Sequence, residues 1–459
     1  MNFAAALEKF GSRPALILPG EGSISYIRLA EDCDNFAAGL PKGKQLLLVE
    51  MSNDYPSIVA YLAGLRRGDA VMLLHAGLNP QLKGQLISAY QPDLVWRKGK
   101  NGYQLHRAAS DGKTPLHDKL TLLLSTSGST GSPKCVRLTQ ENLASNASAI
   151  ATYLRLDESE RAITLLPLHY SYGLSVLNSH LAVGASIVVQ RQSVVDKGFW
   201  KTLREEKVTS ISGVPFIYET LARLRFAGLQ LPELRYLTQA GGRLAPALVE
   251  EFARLCQKRT WQFYVMYGQT EATARISFLM PEKALMKPDS IGSAIPGGRL
   301  WLRGEDGKEV KQAGQPGELV YSGPNVMLGY AARRADLGRG DEAQGILATG
   351  DIAQYDADGD LYIVGRKKRF IKLFGQRFGL DEIESQLRIQ GVTAACGGRD
   401  DCLEIVVEGR HDLERLRRRV ADGYRVHSKA IRIASLSVLP KTSSGKIDYA
   451  TLFAGECNG

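Results

Sequence analysis

The chain has 459 residues, 44% of them apolar and 23% charged, with a net charge of +10; that length predicts two or three domains, and the composition excludes a disordered or collagen-like chain. Six scattered cysteines without a CxxC pair and seven histidines without an HExxH pattern argue against a disulfide framework and a zinc site. No stretch reaches membrane-spanning length, and the N-terminus meets Glu8 before any long apolar run, so a cytoplasmic protein without a membrane span is expected. The positive charge fits an anionic partner (nucleotide, coenzyme, nucleic acid or acidic carrier protein) and equally fits a soluble surface rich in lysine and arginine.

In chain order, ALIL (15–18), QLLLVE (45–50) and AVMLL (70–74) are short, β-rich apolar runs. The amphipathic stretches 55–68 and 79–91 alternate with them, and SIVVQ (186–190) continues the strand pattern. Such alternation predicts α/β units on largely parallel sheets. Near residue 300 the texture changes to glycine-punctuated segments, GELVYSG (317–323) and DGDLYIVGR (358–366), as in a small antiparallel sheet or barrel. After Gly365 a basic stretch, RKKRFIK, opens roughly ninety residues of mixed α and β character. The cluster RLRRRV (415–420) has the spacing of a solvated helix face and lacks the interleaved aromatics of a nucleic-acid arm, so no nucleic-acid partner is expected.

The apolar run Leu122–Leu124 ends in Thr126, Ser127, Gly128, Ser129, Thr130, Gly131 and, three residues on, Lys134. Glycines let backbone N–H groups turn toward an anion, hydroxyls add donors, and a lysine adds charge, which is phosphate chemistry. The spacing is not that of a Walker A loop, and alone it would also suit a flexible linker. It is followed by YGQTE (267–271), TGD (349–351) and LPKTSSGKI (439–447).

These motifs, in this order and with GRKKRFIKLFGQRFGLDEIE between the last two, resemble the adenylate-forming enzymes: acyl- and aryl-CoA synthetases, adenylation domains of peptide synthetases, and luciferases. The resemblance runs from about Tyr26 to Ile447. It implies an α/β fold: a large N-terminal domain over residues 1–366, with two α/β sheet subdomains and a small β-barrel-like part. A small α+β C-terminal lid over 367–459 would swing on Lys368.

The resemblance also implies ATP-dependent activation of a small carboxylic acid as an acyl-adenylate, with Mg²⁺. Acyl transfer follows, to coenzyme A or to the phosphopantetheine of an acidic acyl or peptidyl carrier protein. The loop residues 126–131 and Lys134 would hold the β and γ phosphates, Thr270 the α-phosphate, and Glu271 the metal. Tyr267, followed by Gly268, would stack on adenine, whose other face would lie on Ala240, Gly241 and Gly242. Asp351 would accept from the ribose hydroxyls with Arg366 nearby, and Lys446 would stabilise charge at the α-phosphate. Lys372, Gly375 and Arg377 would border a thiol channel. Tyr170 is the expected aromatic beside the carboxylate, with His169 a weaker choice.

Three departures from the family pattern stand out. Cys135 replaces a glycine, so alkylation there would be expected to block ATP; Asp448-Tyr449 replaces the usual arginine after the lysine motif; and the segment before the phosphate loop is short. Ser171 stands where amino-acid-activating relatives carry an aspartate, which favours an uncharged acyl or aryl carboxylate over an α-amino acid, because a buried ammonium would lack a partner.

Overall fold

The computed structural model describes residues 3–107, 114–125, 134–367, 369–373, 376–399, 401–424, 426–442 and 445–453. These fall into two compact units. The first holds the described residues up to Leu300 together with Tyr321–Leu347; the second holds Trp301–Val320 and the described residues from Ala348 onward.

The first unit contains two large sheets. One has seven strands in the order Gly329–Ala331, Cys135–Thr139, Leu120–Ser125, Ala70–His75, Leu46–Met51, Leu94–Gly99 and Gly102–Arg107. Its middle strands are parallel and its edges antiparallel. The other has nine strands, of which Gln262–Tyr267, Tyr236–Gln239, Ser210–Gly213, Arg161–Ile163, Ser186–Val188 and Pro14–Leu18 form a parallel centre. Strands buried on both faces read as continuous apolar runs, and LLLVEM at Leu46–Met51 is buried at every position.

Local chemistry sets the helix ends. Asp54 accepts from the Ser57 N–H, Pro56 sits in the first turn of the helix Tyr55–Arg67, and Gly68 ends it in the left-handed region at φ 84°. The helix Gln140–Leu154 begins in a capping box between Thr139 and Asn142. The Asn142 Nδ2 also donates to the carbonyls of Pro324 and Val326, at 2.7 and 2.8 Å, fixing the approach to strand Gly329–Ala331.

The second unit carries most of a five-stranded sheet, in the order Glu309–Val310, Arg299–Arg303, Gly317–Ser322, Ile346–Tyr355 and Leu361–Arg366. It also carries a three-stranded sheet, Ala394–Arg399, Cys402–Glu408 and Ile431–Leu436. Ile383 and Leu387 of helix Leu380–Ile389 and Leu416 and Val420 of helix Leu413–Tyr424 share one apolar core with that sheet. Arg415, Arg418 and Arg419 are exposed around that buried stripe, the solvated face expected from their spacing. Among the described residues no helix is long and apolar enough to cross a membrane. Lys368, the expected hinge, lies outside the described residues.

Candidate functional site

The loop residues Thr126, Ser127, Gly128, Ser129, Thr130 and Gly131 lie outside the described residues, as does Gly375; so do the side chains of Lys372 and Arg377. The two feet of the loop are placed: Ser125 pairs with Cys135 across antiparallel strands. Tyr90 ties the second foot down, accepting from the Cys135 N–H at 3.0 Å and donating to the Ala331 carbonyl at 2.6 Å. Cys135 itself is fully buried and its thiol is pushed up to about 12 by that burial. The alkylation expected from the sequence therefore has neither access nor a thiolate to attack.

Lys134 Nζ lies 4.4 Å from the centroid of the Tyr330 ring, a cation–π contact. The Tyr330 hydroxyl in turn donates to Glu271 Oε1 at 2.7 Å. Burial, and then the Glu271 carboxylate, raise the phenol well above its usual range, so it stays a donor. One tyrosine thus brings together the expected phosphate lysine and the expected metal carboxylate. Sequence reasoning missed Tyr330, since nothing in LGYA marks it; it becomes visible only through its pairing opposite Val136.

Glu271 sits on a short 3-10 turn, Thr270–Ala272. Asn325, also missed, pins that turn: its Nδ2 donates to the carbonyls of Ala272 and Arg275 at 2.8 and 2.9 Å, and its Oδ1 accepts from Tyr321 at 2.7 Å. Gly268 is demanded by packing, because a Cβ there would stand 1.8 Å from the Ala274 carbonyl oxygen.

Gln239 and Val265 are paired in parallel register, so Ala240-Gly241-Gly242 and Tyr267-Gly268 leave the sheet side by side at the carboxyl ends of neighbouring strands. That edge is where open α/β sheets bind ligands. The Tyr267 hydroxyl accepts from Gln269 Nε2 at 3.1 Å. Gly241 takes φ +85°, and a Cβ on it would come within 2.6 Å of the Tyr170 hydroxyl; the absent side chain makes room for that ring. Burial pushes the Tyr170 phenol up to about 12. Next to it, the Ser171 and Thr270 hydroxyls are 3.3 Å apart. His169 lies against His75, ring centroids 4.7 Å apart, and burial, then His75, lower its imidazole to about 4, leaving it neutral near pH 7.

In the second unit, Arg366 Nε donates to Asp351 Oδ1 at 2.8 Å, and the two residues face each other across paired strands. Lys446 is exposed on a tight turn closed by the Lys441–Ile447 bridge, with Gly445 at φ +78°. Tyr449, in the place of the family's arginine, anchors this turn. Its hydroxyl reaches Glu384 Oε2 at 3.0 Å, and the Arg369 guanidinium lies 4.1 Å from its ring centroid. Arg369 also donates to Glu384 Oε1 at 2.7 Å and pairs with Asp381.

Among the described residues no cluster of three or more His, Cys, Asp or Glu could hold a metal by itself. A single carboxylate such as Glu271 fits Mg²⁺, which binds through one or two carboxylates with substrate phosphates and water, and does not fit a closed transition-metal site.

A family model described as AMP-binding enzyme matches residues 87–331. The chain is 30% identical to an oxalate–CoA ligase of Arabidopsis thaliana, over 96% of this chain and 95% of that protein. It is 26% identical to a 2-succinylbenzoate–CoA ligase of Bacillus licheniformis, over 84% of each. Its fold is similar to that of the Bacillus subtilis o-succinylbenzoate CoA synthetase solved with its acyl-adenylate intermediate. There the TM-score is 0.78 at 22% identity, with 98% of both chains covered. The match over more than half the chain and the near-full-length identity agree with the site's geometry: the chain belongs to the AMP-binding enzymes, the adenylate-forming family that includes CoA ligases.

Proposed function

We propose that the protein joins a small carboxylic acid to the α-phosphate of ATP, releasing pyrophosphate, and then passes the acyl group to the thiol of coenzyme A. The observation that carries this reading is the contact chain from Lys134 through Tyr330 to Glu271. It places a cation and a carboxylate beside one another at the foot of the loop, as a nucleotide triphosphate with its metal requires.

Lys134 and the loop residues neutralise the outgoing pyrophosphate. Thr270, held beside Ser171, donates to the α-phosphate, and Glu271 is the residue that would hold Mg²⁺, which supplies charge neutralisation on the phosphate oxygens. Tyr267 and the Ala240-Gly241-Gly242 backbone take the two faces of adenine, Asp351 takes the ribose, and Tyr170 closes the carboxylate side. Lys446 stabilises negative charge as the carboxylate oxygen attacks phosphorus. A C-terminal lid beginning at Lys367 and swinging on Lys368 withdraws the lysine before the thiol attacks the acyl carbon, with AMP as the leaving group. Relatives are named as CoA ligases for oxalate, indoleacetate and 2-succinylbenzoate, which supports coenzyme A as acceptor. The exposed arginines of helix Leu413–Tyr424 favour a second reading, an acidic carrier protein as acceptor.

The test is pyrophosphate release from ATP and Mg²⁺ over a panel of acids, with hydroxylamine trapping the acyl group and Lys446→Ala as control. Release that depends on one class of acid and is lost in the variant is the expected result. Failure to bind ATP, with no release for any acid, would sink the reading.

A further inference from the structure

Two arginines head the largest fully buried side chains, Arg137 and Arg275. Arg137 is paired: it meets the Glu342 carboxylate at 2.6 Å and the carbonyls of Leu328, Arg339 and Gly340. Arg275, 2% exposed, meets no carboxylate among the described residues. Its guanidinium lies 3.9 Å from the centroid of the Tyr172 ring, its Nε has no hydrogen-bond partner, and none of the ion pairs among the described residues includes it. The polar groups that sense its charge are the phenols of Tyr153, Tyr170 and Tyr172. Tyr153 is already committed to the Met266 sulfur at 3.0 Å, and Tyr172 to the Thr238 carbonyl at 2.8 Å.

A guanidinium stripped of water and given one aromatic face and the neutral phenol of Tyr153 is a poor solution for folding alone, because a buried cation calls for an anion. Its place is informative. Tyr172 directly follows Ser171, whose hydroxyl is 3.3 Å from that of Thr270, and Tyr170 meets Gly241 on the adenine side. The cation thus lies on the ring of the residue next to Ser171, and on the proposed function the Ser171–Thr270 pair flanks the reacting carboxylate. A planar fork of N–H donors at that depth matches a second carboxylate in both shape and charge.

The structure assigns to Arg275 the recognition of a second anionic group on the substrate, so that the acid activated is a dicarboxylate. This rests on the proposed adenylation chemistry and departs from the uncharged acid favoured by Ser171 alone. Ser171 in place of an aspartate speaks against a cationic substrate and is silent on an anionic one.

The experiment measures pyrophosphate release by the full chain with malonate, succinate and glutarate against acetate, propionate and butyrate, in the wild type, Arg275→Met and Arg275→Lys. A thermal-shift titration of each protein with the same anions provides a readout independent of activity. The wild type should prefer a dicarboxylate, and Arg275→Met should lose about 100-fold in kcat/KM for it, the scale of removing one partner of a buried charge pair. Its activity on monocarboxylates should hold or rise. Arg275→Lys should fall between, keeping the charge without the fork. Stabilisation by a dicarboxylate should appear in the wild type and vanish in Arg275→Met.

A wild type that prefers monocarboxylates, or an equal loss for both acid classes in the variants, overturns the proposal. If no acid yields pyrophosphate while dicarboxylates still stabilise the protein through Arg275, the adenylation chemistry fails and the anion site stands. If neither readout responds to dicarboxylates, the anion site fails. Should Arg275→Met not fold, the wild-type preference and the lysine variant decide.

Discussion

The hydroxyl of Tyr330 donates to Oε1 of Glu271 across 2.7 Å, between residues 59 positions apart. The bond orients the carboxylate on its half-buried turn, and the same ring carries Lys134 on its face. Replacing Tyr330 with Phe keeps the ring and removes the bond. Tyr330→Phe is expected to raise the Mg²⁺ concentration needed for half-maximal pyrophosphate release by about tenfold, the value of one hydrogen bond to a charged group. Tyr330→Ala, which also removes the lysine's platform, should raise the KM for ATP as well. A magnesium titration at saturating ATP separates the two.

Gly241 and Tyr170 make a second testable pair. Gly241→Ala places a Cβ at φ +85°, 2.6 Å from the Tyr170 hydroxyl and 3.0 Å from Val214 Cγ1. Backbone strain of about 1–2 kcal/mol is expected from the dihedral alone, with the clash added. Removing the hydroxyl relieves only the clash with Tyr170. The double variant Gly241→Ala, Tyr170→Phe should therefore be less destabilised than the sum of the singles, by about 0.5–2 kcal/mol in a urea double-mutant cycle.

Tyr449 anchors the turn that carries Lys446. Its hydroxyl is held by Glu384, itself bonded to the Cys396 N–H at 2.6 Å and paired with Arg369. Tyr449→Phe should lower kcat for adenylation by about tenfold, the cost of a loosened geometry, while leaving the KM for ATP close to wild type. The same loss in KM instead would mean the turn serves binding.

His180 supplies a pH signature. Burial lowers its imidazole to about 4. Its Nδ1 lies 2.8 Å from the Val176 carbonyl, which can only accept, so Nε2 accepts from the Tyr236 hydroxyl at 3.1 Å. The folded state binds fewer protons than the unfolded chain between that value and the ordinary 6.5. The stability from keeping the ring neutral is therefore fully present above pH 6.5, shrinks as pH falls, and is gone below about 4, a change of about 3 kcal/mol for this residue. His169 acts with the same sign. Urea midpoints from pH 7.5 to 4.5 should fall, and less so in His180→Gln.

Sequence reading reached the parts whose logic is local. The strand Leu122–Leu124 before the glycine loop and the short apolar strands were legible because each shows as a run of a few residues. Tyr330 and Asn325 were not: they act on Glu271 and its turn only after the strand Gly329–Ala331 pairs with Cys135–Thr139, which no short window contains. Arg275 did carry a signal, a lone charge inside the apolar run ATARISFL. Tyr449 looked like a defect in a motif and proved to be an anchor, because its partners Arg369 and Glu384 lie 80 and 65 positions earlier.

The helix Tyr449–Phe453 also sets an order of events during synthesis. It docks through Tyr449 on Glu384 and through Phe453 beside Gly397, where a Cβ would come within 2.7 Å of the ring. Chains leave the ribosome from the N-terminus and fold as they emerge, so the sheets carrying Glu271 and Lys134 are complete long before that helix exists. The turn bearing Lys446 can be clasped only when the helix Tyr449–Phe453 arrives to seat it. A chain broken off just past the lysine would carry that turn without its clasp, and the proposed chemistry at the α-phosphate would lose a positioned cation.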